Sequence, residues 1–116
     1  SLLTEADKAE GWRPSGRQPI ASHASGKLFV LMKQQAIDGN HYDGGEQVWV
    51  FDPVNKRRIA RYTLNNKATV IEVTRGKTPY LTVATKDGLD IYNAHNGAML
   101  RHIGGQAGFI KLYASQ

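Results

Sequence analysis

An internal repeat constrains this sequence more than any other feature. The apolar pattern of residues 48–52 recurs at residues 89–93, a shift of 41 positions that needs no gap. The same shift carries Ile59 onto Leu100. Each copy reads as a strand that ends in Asp or Asn, a short turn and a second strand, which is the layout of a hairpin with an Asx-type turn. The repeat therefore predicts two equivalent β-hairpins.

A second correspondence lies upstream of each hairpin. Residues 20–25 and 28–32 align with residues 71–75 and 80–84, with a small insertion at 78–79. Each unit then contains four strands, and four-stranded repeats of ~40–50 residues are typical of β-propeller blades, which bury their faces by stacking. The sequence predicts an all-β fold made of about two propeller blades. A sandwich of two sheets stays open as the alternative, because it also has evenly spaced short strands.

The repeat also predicts how the chain is organised. We expect residues 1–18 to lead into the first blade, 19–66 to form it, 67–106 to form the second blade, and 107–116 to supply a strand of a shared or next blade. Known propellers have four or more blades. We therefore expect this stretch to be a fragment of a larger propeller, or else to associate with other copies.

Helical signals are weak in this chain. Residues 2–10 have Thr4 as a potential N-cap, but Gly11 and Pro14 end the pattern early. The sequence thus predicts no convincing helix.

Composition excludes several classes of site. There is no cysteine, which removes disulfides, thiolate nucleophiles and cysteine-ligated metals. The longest apolar run, residues 28–32, is far shorter than the ~20 residues that cross a bilayer, so we expect no membrane span. The net charge is +5, but the bases cluster only at 56–61, and such a run is typical of a solvated turn.

One long connection carries the candidate binding residues. Residues 38–44 superficially suggest a calcium loop, but Tyr42 stands where an oxygen ligand is needed and Trp49 stands where the closing Glu belongs. The segment is better explained as a long connection between the second and third strands of the first blade. Because such loops make contacts in propellers, His41 and Tyr42 are the predicted contacts with a partner chain.

The remaining histidines offer no chemistry by motif. His23, His41, His95 and His102 lack the close spacing of a metal pair, and no serine, carboxylate or lysine is paired with them by motif. We therefore assign no catalytic, cofactor-binding or metal-ligating residue to this chain.

Several segments resemble a known family. Residues 12–16, 39–41, 46–52 and 56–62 look like the heavy chain of methylamine and aromatic amine dehydrogenases. The most specific part is the hairpin Glu-x-Val-Trp-Val-Phe-Asp with its return strand Arg-Ile-Ala-Arg-Tyr.

The resemblance implies the C-terminal portion of a seven-bladed propeller subunit, exported to the periplasm and paired with a small light chain in a heterotetramer. The light chain of such enzymes holds tryptophan tryptophylquinone, made from two of its own tryptophans, and oxidises a primary amine to an aldehyde and ammonia. A copper protein or a cytochrome accepts the electrons. By this resemblance the heavy chain is non-catalytic. Because Trp49 alternates with Val48 and Val50, we interpret it as packing against a loop or a neighbouring blade, or as exposed on one face, and Trp12 as an anchor for the segment that enters the first blade.

Two other functions remain open at this stage. One is a stand-alone propeller that serves as a scaffold for protein partners. The other is a basic β-domain that binds nucleic acid, which we rank last because the basic run at 56–61 has no aromatic residue inside it.

Overall fold

Eight antiparallel strands and one short helix make up the part of the chain that the structure describes. The structure is a computed structural model and describes residues 2–16, 19–34 and 44–105. The elements are α1 (Glu5–Ala9), β1 (Trp12–Pro14), β2 (Ile20–Ser22), β3 (Leu28–Gln34), β4 (Gly45–Asp52), β5 (Arg57–Val73), β6 (Tyr80–Thr85), β7 (Gly88–Asn93) and β8 (Met99–Gly104). The strand order is β1-β3-β4-β5-β6-β7-β8, and β2 also pairs with β3.

The predicted all-β class is confirmed, and the sheet is consistent with a fragment of a propeller. The number of blades in the whole propeller and the blade boundaries stay predictions. The strand expected within residues 107–116 lies outside the described residues.

The hairpin repeat extends to backbone detail. The β4–β5 ladder shifts register between Val50 and Phe51, and the β7–β8 ladder shifts between Ile91 and Tyr92, 41 positions later. Such irregularities re-aim a strand and increase its local twist. The two hairpins therefore have the same irregularity at the same place.

The upstream alignment differs from the structure by one residue. The sequence pattern places β3 on β6 with a shift of 52 positions, but Val30 faces Trp49 while Val83 faces Asp90. Because Trp49 and Asp90 are equivalent by the 41-residue repeat, Val30 corresponds to Val83, which is a shift of 53. A slip of one residue exchanges the two faces of a strand, so only the structure assigns the faces of β6 correctly.

The strand β5 joins the two units. Residues 57–63 pair with β4, and the stretch from Ala68 to Val73 pairs with β6. Ala68 also faces Gly45 of β4, so the strand passes from one unit to the next at this point. One strand of 17 residues thus contributes to both units.

The helix α1 corrects the sequence-based prediction that no helix forms. The Thr4 hydroxyl accepts a hydrogen bond from the Asp7 backbone amide, and the Asp7 carboxylate accepts one from the Thr4 backbone amide. Together they form a complete capping box. Helices this short are unstable alone, and Asp7 also binds Arg58 of β5. Capping and this tertiary contact stabilise a helix that periodicity alone does not reveal. Within the described residues, no helix is long and apolar enough to cross a membrane.

Two packed clusters lie on opposite faces of β3 and β4. The inter-unit cluster lies between the two units and contains Phe29, Leu31, Val48, Val50, Tyr62, Leu64, Ala68, Ile71, Leu81, Val83, Tyr92 and Ala94. The aromatic cluster lies on the other face and contains Trp12, Val30, Met32, Trp49 and Phe51. Side chains alternate between the faces of a strand, so β4 supplies Val48 and Val50 to one cluster and Trp49 and Phe51 to the other.

Candidate interaction site

The predicted contact residues His41 and Tyr42 lie outside the described residues. Their connection leaves β3 after Gln34 and is described again from Gly44. The described structure around these two ends therefore defines the candidate site.

The aromatic cluster is built around two indole rings. Pairing of β1 with β3 sets Trp12 opposite Gln34, and Trp49 lies on the neighbouring strand β4. The ring centroids of Trp12 and Trp49 are 5.1 Å apart with an interplanar angle of 50°. Phe51 extends the cluster, with its centroid 6.3 Å from that of Trp49. Tilted aromatic pairs at these distances add stability beyond the area they bury.

Two arginines of β5 lie over these rings. The Arg61 guanidinium carbon is 4.9 Å from the centroid of Trp12 and 4.7 Å from that of Trp49. The Arg58 guanidinium lies 4.6 Å from the Trp49 centroid. Each contact is within the range of cation–π attraction. Trp49, which is fully buried, thus packs against both arginines.

A glutamine holds this arrangement in place. The Gln47 Oε1 atom accepts hydrogen bonds from Trp49 Nε1 at 2.8 Å and from Arg61 Nε and Nη2 at 3.1 and 3.0 Å. The indole nitrogen of Trp12 is buried and, among the described residues, has no hydrogen-bond partner. The two tryptophans therefore share a cluster but differ in how their polar atoms are satisfied.

Asp7 connects the helix to this site. Burial raises the pKa of its carboxyl, but hydrogen bonds from Thr4 and the nearby Arg58 charge outweigh that effect and hold the pKa below 3.8. The Arg58 Nη1 atom is 3.2 Å from Asp7 Oδ1. The carboxylate is therefore ionised at neutral pH and attaches α1 to β5.

An open cavity of about 350 Å³ lies beside the aromatic cluster, at the base of the 35–43 connection. Its lining comprises Trp12, Gln34, Glu46, Gln47, Thr63 and Leu64. Glu46 Oε1 accepts the Gln34 backbone amide at 3.0 Å, which joins the two strands that carry the connection. Amide, carboxylate and hydroxyl groups beside apolar surface suit contacts with a protein segment.

A second polar cluster was missed by sequence reasoning. Asp90 is fully buried, accepts a hydrogen bond from Asn66 Nδ2 at 3.2 Å, and pairs with His102 Nδ1. No motif in the sequence pairs His102 with a carboxylate. The only available signal was an aspartate at a strand position equivalent to the buried Trp49.

The other described histidines lie in turns. His23 and His95 contact the backbone of the 74–79 turn, away from His102. The structure does not bring these rings together, and the described residues contain no group of three or more side chains arranged to hold a metal ion.

Comparison with known proteins shows a match along almost the whole chain. The family model described as methylamine dehydrogenase heavy chain (MADH) matches residues 1–112. The chain is 34% identical over 99 residues to the methylamine dehydrogenase heavy chain of Methylobacillus flagellatus, covering 83% of this chain and 24% of that protein. The heavy chain of Paracoccus versutus is 31% identical over 103 residues, covering 87% of this chain and 24% of that protein.

The heavy chain of Methylophilus methylotrophus is also similar. It is 30% identical over 104 residues, covering 88% of this chain and 26% of that protein. The chain therefore spans about a quarter of the length of the curated relatives it matches.

Proposed function

The chain belongs to the methylamine dehydrogenase heavy chain family, and from this membership we propose that it forms part of the non-catalytic propeller subunit of an amine dehydrogenase. The family match over residues 1–112 is the observation that carries the proposal. The whole subunit would be a seven-bladed propeller, of which this stretch supplies about two blades. The repeat of hairpins with identical register shifts supports that architecture.

The enzyme would oxidise primary amines, methylamine among them, to an aldehyde and ammonia. In this proposal a small light chain carries tryptophan tryptophylquinone and the propeller subunit holds it in a heterotetramer in the periplasm. A copper protein or a cytochrome would accept the electrons. The relatives' names support the dehydrogenase subunit role, and the light chain, the compartment and the acceptor are part of the proposal.

The two tryptophans of this chain have a structural role in the proposal. Trp12 and Trp49 are its only tryptophans, and their rings are in contact. Both are buried, and the Arg61 guanidinium packs on both rings. A quinone cofactor must meet its amine substrate, whereas these rings are covered by arginine and by their own cluster. This burial supports a structural role for the pair in the first unit and is compatible with the proposed cofactor on the light chain.

The contact with the light chain is proposed at the 35–43 connection. His41 and Tyr42 are the proposed contact residues, and the cavity lined by Glu46 and Thr63 lies beside the ends of that connection. A partner segment at this site could use the cavity's hydrogen-bonding groups together with its apolar wall.

The first experiment tests the subunit assignment. The whole protein that contains this chain would be purified from its native source, its chains separated, and each stained by quinone-dependent redox cycling. We expect a small co-purifying chain to stain, this chain to remain unstained, and a dye to be reduced only when methylamine is added. Purification without a small chain would contradict the assignment and favour a stand-alone scaffold, and quinone staining of this chain would also contradict it.

The second experiment tests the contact. The double variant His41→Ala/Tyr42→Ala should lower the yield of light chain that co-purifies with the propeller subunit. The matched control is Leu100→Ala/Arg101→Ala, which changes two exposed residues of β8, at the end of the strand order away from β3. Equal yields of light chain from the two variants would exclude this contact while leaving the subunit assignment unaffected.

A further inference from the structure

Four short turns lie together at one edge of the structure. Each turn joins two neighbouring antiparallel strands. Because the chain reverses direction at every turn, the two turns of a unit lie at the same edge of its sheet. The His23 Nε2 atom lies 3.2 Å from the Gly76 carbonyl oxygen, which brings a turn of the first unit against a turn of the second. We call this surface the turn edge, and its turns are residues 23–27, 53–56, 74–79 and 94–98, with Asp52, Arg57 and Tyr80 at their ends.

The positive charge of the chain is concentrated at the turn edge. The edge carries five basic residues and one acidic residue, Asp52. Elsewhere, the described residues carry eight basic and seven acidic residues and are nearly neutral. The edge therefore accounts for most of the net charge of +5. Its basic residues are Lys27, Lys56, Arg57, Arg75 and Lys77.

These charges are available to a partner. None of the five bases lies within ion-pair distance of a described carboxylate, and only Arg57, which faces Asp52 across the β4–β5 ladder, acts on one through its charge. Four of them are exposed, and Lys27 is half-buried. The Asp52 carboxylate is hydrogen-bonded within its own turn. It accepts hydrogen bonds from the backbone amides of Val54 and Asn55 and from the side-chain amide of Asn55. The hydrogen bonds from Asn55 lower the pKa of Asp52, so the carboxylate is ionised at neutral pH and remains hydrogen-bonded within its own turn.

Two histidines hold one basic turn in a fixed position. His23 Nδ1 accepts the Ser25 amide at 3.1 Å, which leaves Nε2 as the donor to the Gly76 carbonyl. His95 Nε2 donates to the next carbonyl, that of Lys77, at 3.2 Å. The turn that carries Lys77 is thus bound on two sides. Binding groups fixed in advance lose less conformational entropy when a partner arrives.

We propose that the turn edge binds an acidic segment of a partner protein. Charge complementarity of this kind steers association and selects partners. The edge also exposes Val54 at 84% and Tyr80 at 44%, which add the apolar contacts typical of a protein interface. Single-stranded nucleic acid would instead favour several aromatic rings interleaved with the bases, and Tyr80 is the one exposed Phe, Tyr or Trp side chain on the described turn edge. The proposal is independent of the amine dehydrogenase assignment.

The test uses the intact protein that contains this chain and a fluorescent oligoglutamate peptide as the probe. The variant Lys56→Glu/Lys77→Glu reverses two charges on the turn edge. The control Lys67→Glu/Lys86→Glu makes the same change in net charge at exposed lysines near the opposite ends of the strands. We expect the turn-edge variant to bind the peptide at least about tenfold more weakly, and the control to stay within about twofold of the parent.

Substitutions that remove the charge without reversing it provide a second test in case a charge-reversal variant misfolds. The pairs Lys56→Gln/Lys77→Gln and Lys67→Gln/Lys86→Gln should rank in the same order with smaller effects. Equal weakening of peptide binding by the turn-edge and the control variants would overturn the proposal, because binding would then follow net charge alone. Tighter binding of a DNA oligonucleotide than of oligoglutamate, lost in the turn-edge variant, would also overturn it in favour of nucleic acid.

Discussion

Equivalent positions in the two units carry different kinds of side-chain pair, an aromatic ring with a guanidinium in one and a carboxylate with an imidazole in the other. In the first unit Trp49 and Arg61 face each other across the β4–β5 ladder, and in the second unit Asp90 and His102 face each other across the β7–β8 ladder. The backbone at these positions is the same, but the surface that each pair meets is different. The first pair packs against Trp12 of the N-terminal segment, whereas the second meets Asn66 and the inter-unit cluster.

The difference shows what determines a side chain in a repeated fold. In the first unit the Trp49 ring packs against Trp12 of β1, and two guanidinium groups lie over it. The space between the units is filled by Tyr62 and Tyr92 from both sides, so a small carboxylate fits there and has two hydrogen-bonding partners. The repeat thus specifies the backbone, and the neighbouring layer specifies the residue.

The largest expected effect removes the centre of the aromatic cluster. Trp49→Ala should lower the free energy of unfolding by about 3–5 kcal/mol, because a fully buried indole leaves a cavity. Trp49→Phe should cost about 1 kcal/mol more than Trp12→Phe, since only Trp49 loses a hydrogen bond to Gln47. Urea unfolding of the intact protein measures both differences. Equal costs for the two Phe variants would mean that Gln47 does not distinguish the rings.

The next effect compares two equivalent turn positions. Gly97 has φ 75° and Lys56 has φ 54°, 41 positions apart. A Cβ atom at Gly97 would lie 2.3 Å from the Tyr62 ring, so Gly97→Ala should cost about 2–4 kcal/mol from backbone strain and overpacking. Lys56→Ala, where a side chain already stands, should change stability by less than about 0.5 kcal/mol. Urea unfolding of both variants measures the two changes in unfolding free energy. Similar losses of stability would show that contact with Tyr62 does not restrict position 97.

The inter-unit cluster should weaken at high pH. Burial raises the pKa of Tyr62 and of Tyr92 above 10.0, with the Asp90 charge adding to the shift of Tyr92. The unfolded chain therefore releases the phenolic protons first. The stabilisation is complete below about pH 10 and is lost as the pH rises from there through the raised folded pKa values.

Tyrosine-to-phenylalanine variants isolate this effect. Tyr62→Phe and Tyr92→Phe should each cost about 1 kcal/mol at neutral pH, because the hydroxyl groups bond to Ala94 and Asn65. Each should also flatten the decline of the thermal midpoint above pH 10. Tyr80→Phe, at a residue 44% exposed, is the control and should leave the profile unchanged. A decline of the same steepness in all variants would place its cause elsewhere.

The smallest expected effect is a gain in stability. Lys56→Gly should raise the free energy of unfolding by up to about 1 kcal/mol, because glycine adopts a positive φ without strain but has more freedom in the unfolded chain. Chemical denaturation of this variant beside Lys67→Gly, which changes an exposed lysine of β5, checks the sign. Loss of stability at both positions would show that the left-handed turn is not strained.

The sequence was informative where the chain repeats itself. The 41-residue shift and the alternating residues of β4 predicted the all-β class and the two hairpins, since period-two burial is visible in the residues themselves. The same pattern did not reveal β1 or α1. Trp12–Pro14 is too short to show alternation, and α1 depends on the contact between Asp7 and Arg58, which are far apart in the sequence.

The site was less accessible to sequence reasoning. His41 and Tyr42 remain predictions, because they lie outside the described residues. The contact between Trp12 and Trp49 joins residues 37 positions apart and needs the pairing of β1 with β3 to become visible. The Asp90–His102 pair faces across two strands, so no linear spacing identifies it as a pair.

The shared strand β5 has a consequence for how the molecule comes apart. Its amide groups hold β4 at one end and β6 at the other, so melting either unit removes hydrogen bonds from a strand that the other unit also uses. Deuterium would then enter the central strands of both units with a common opening free energy, as one foldon. A protease would accordingly meet either an intact pair of units or a chain open across both.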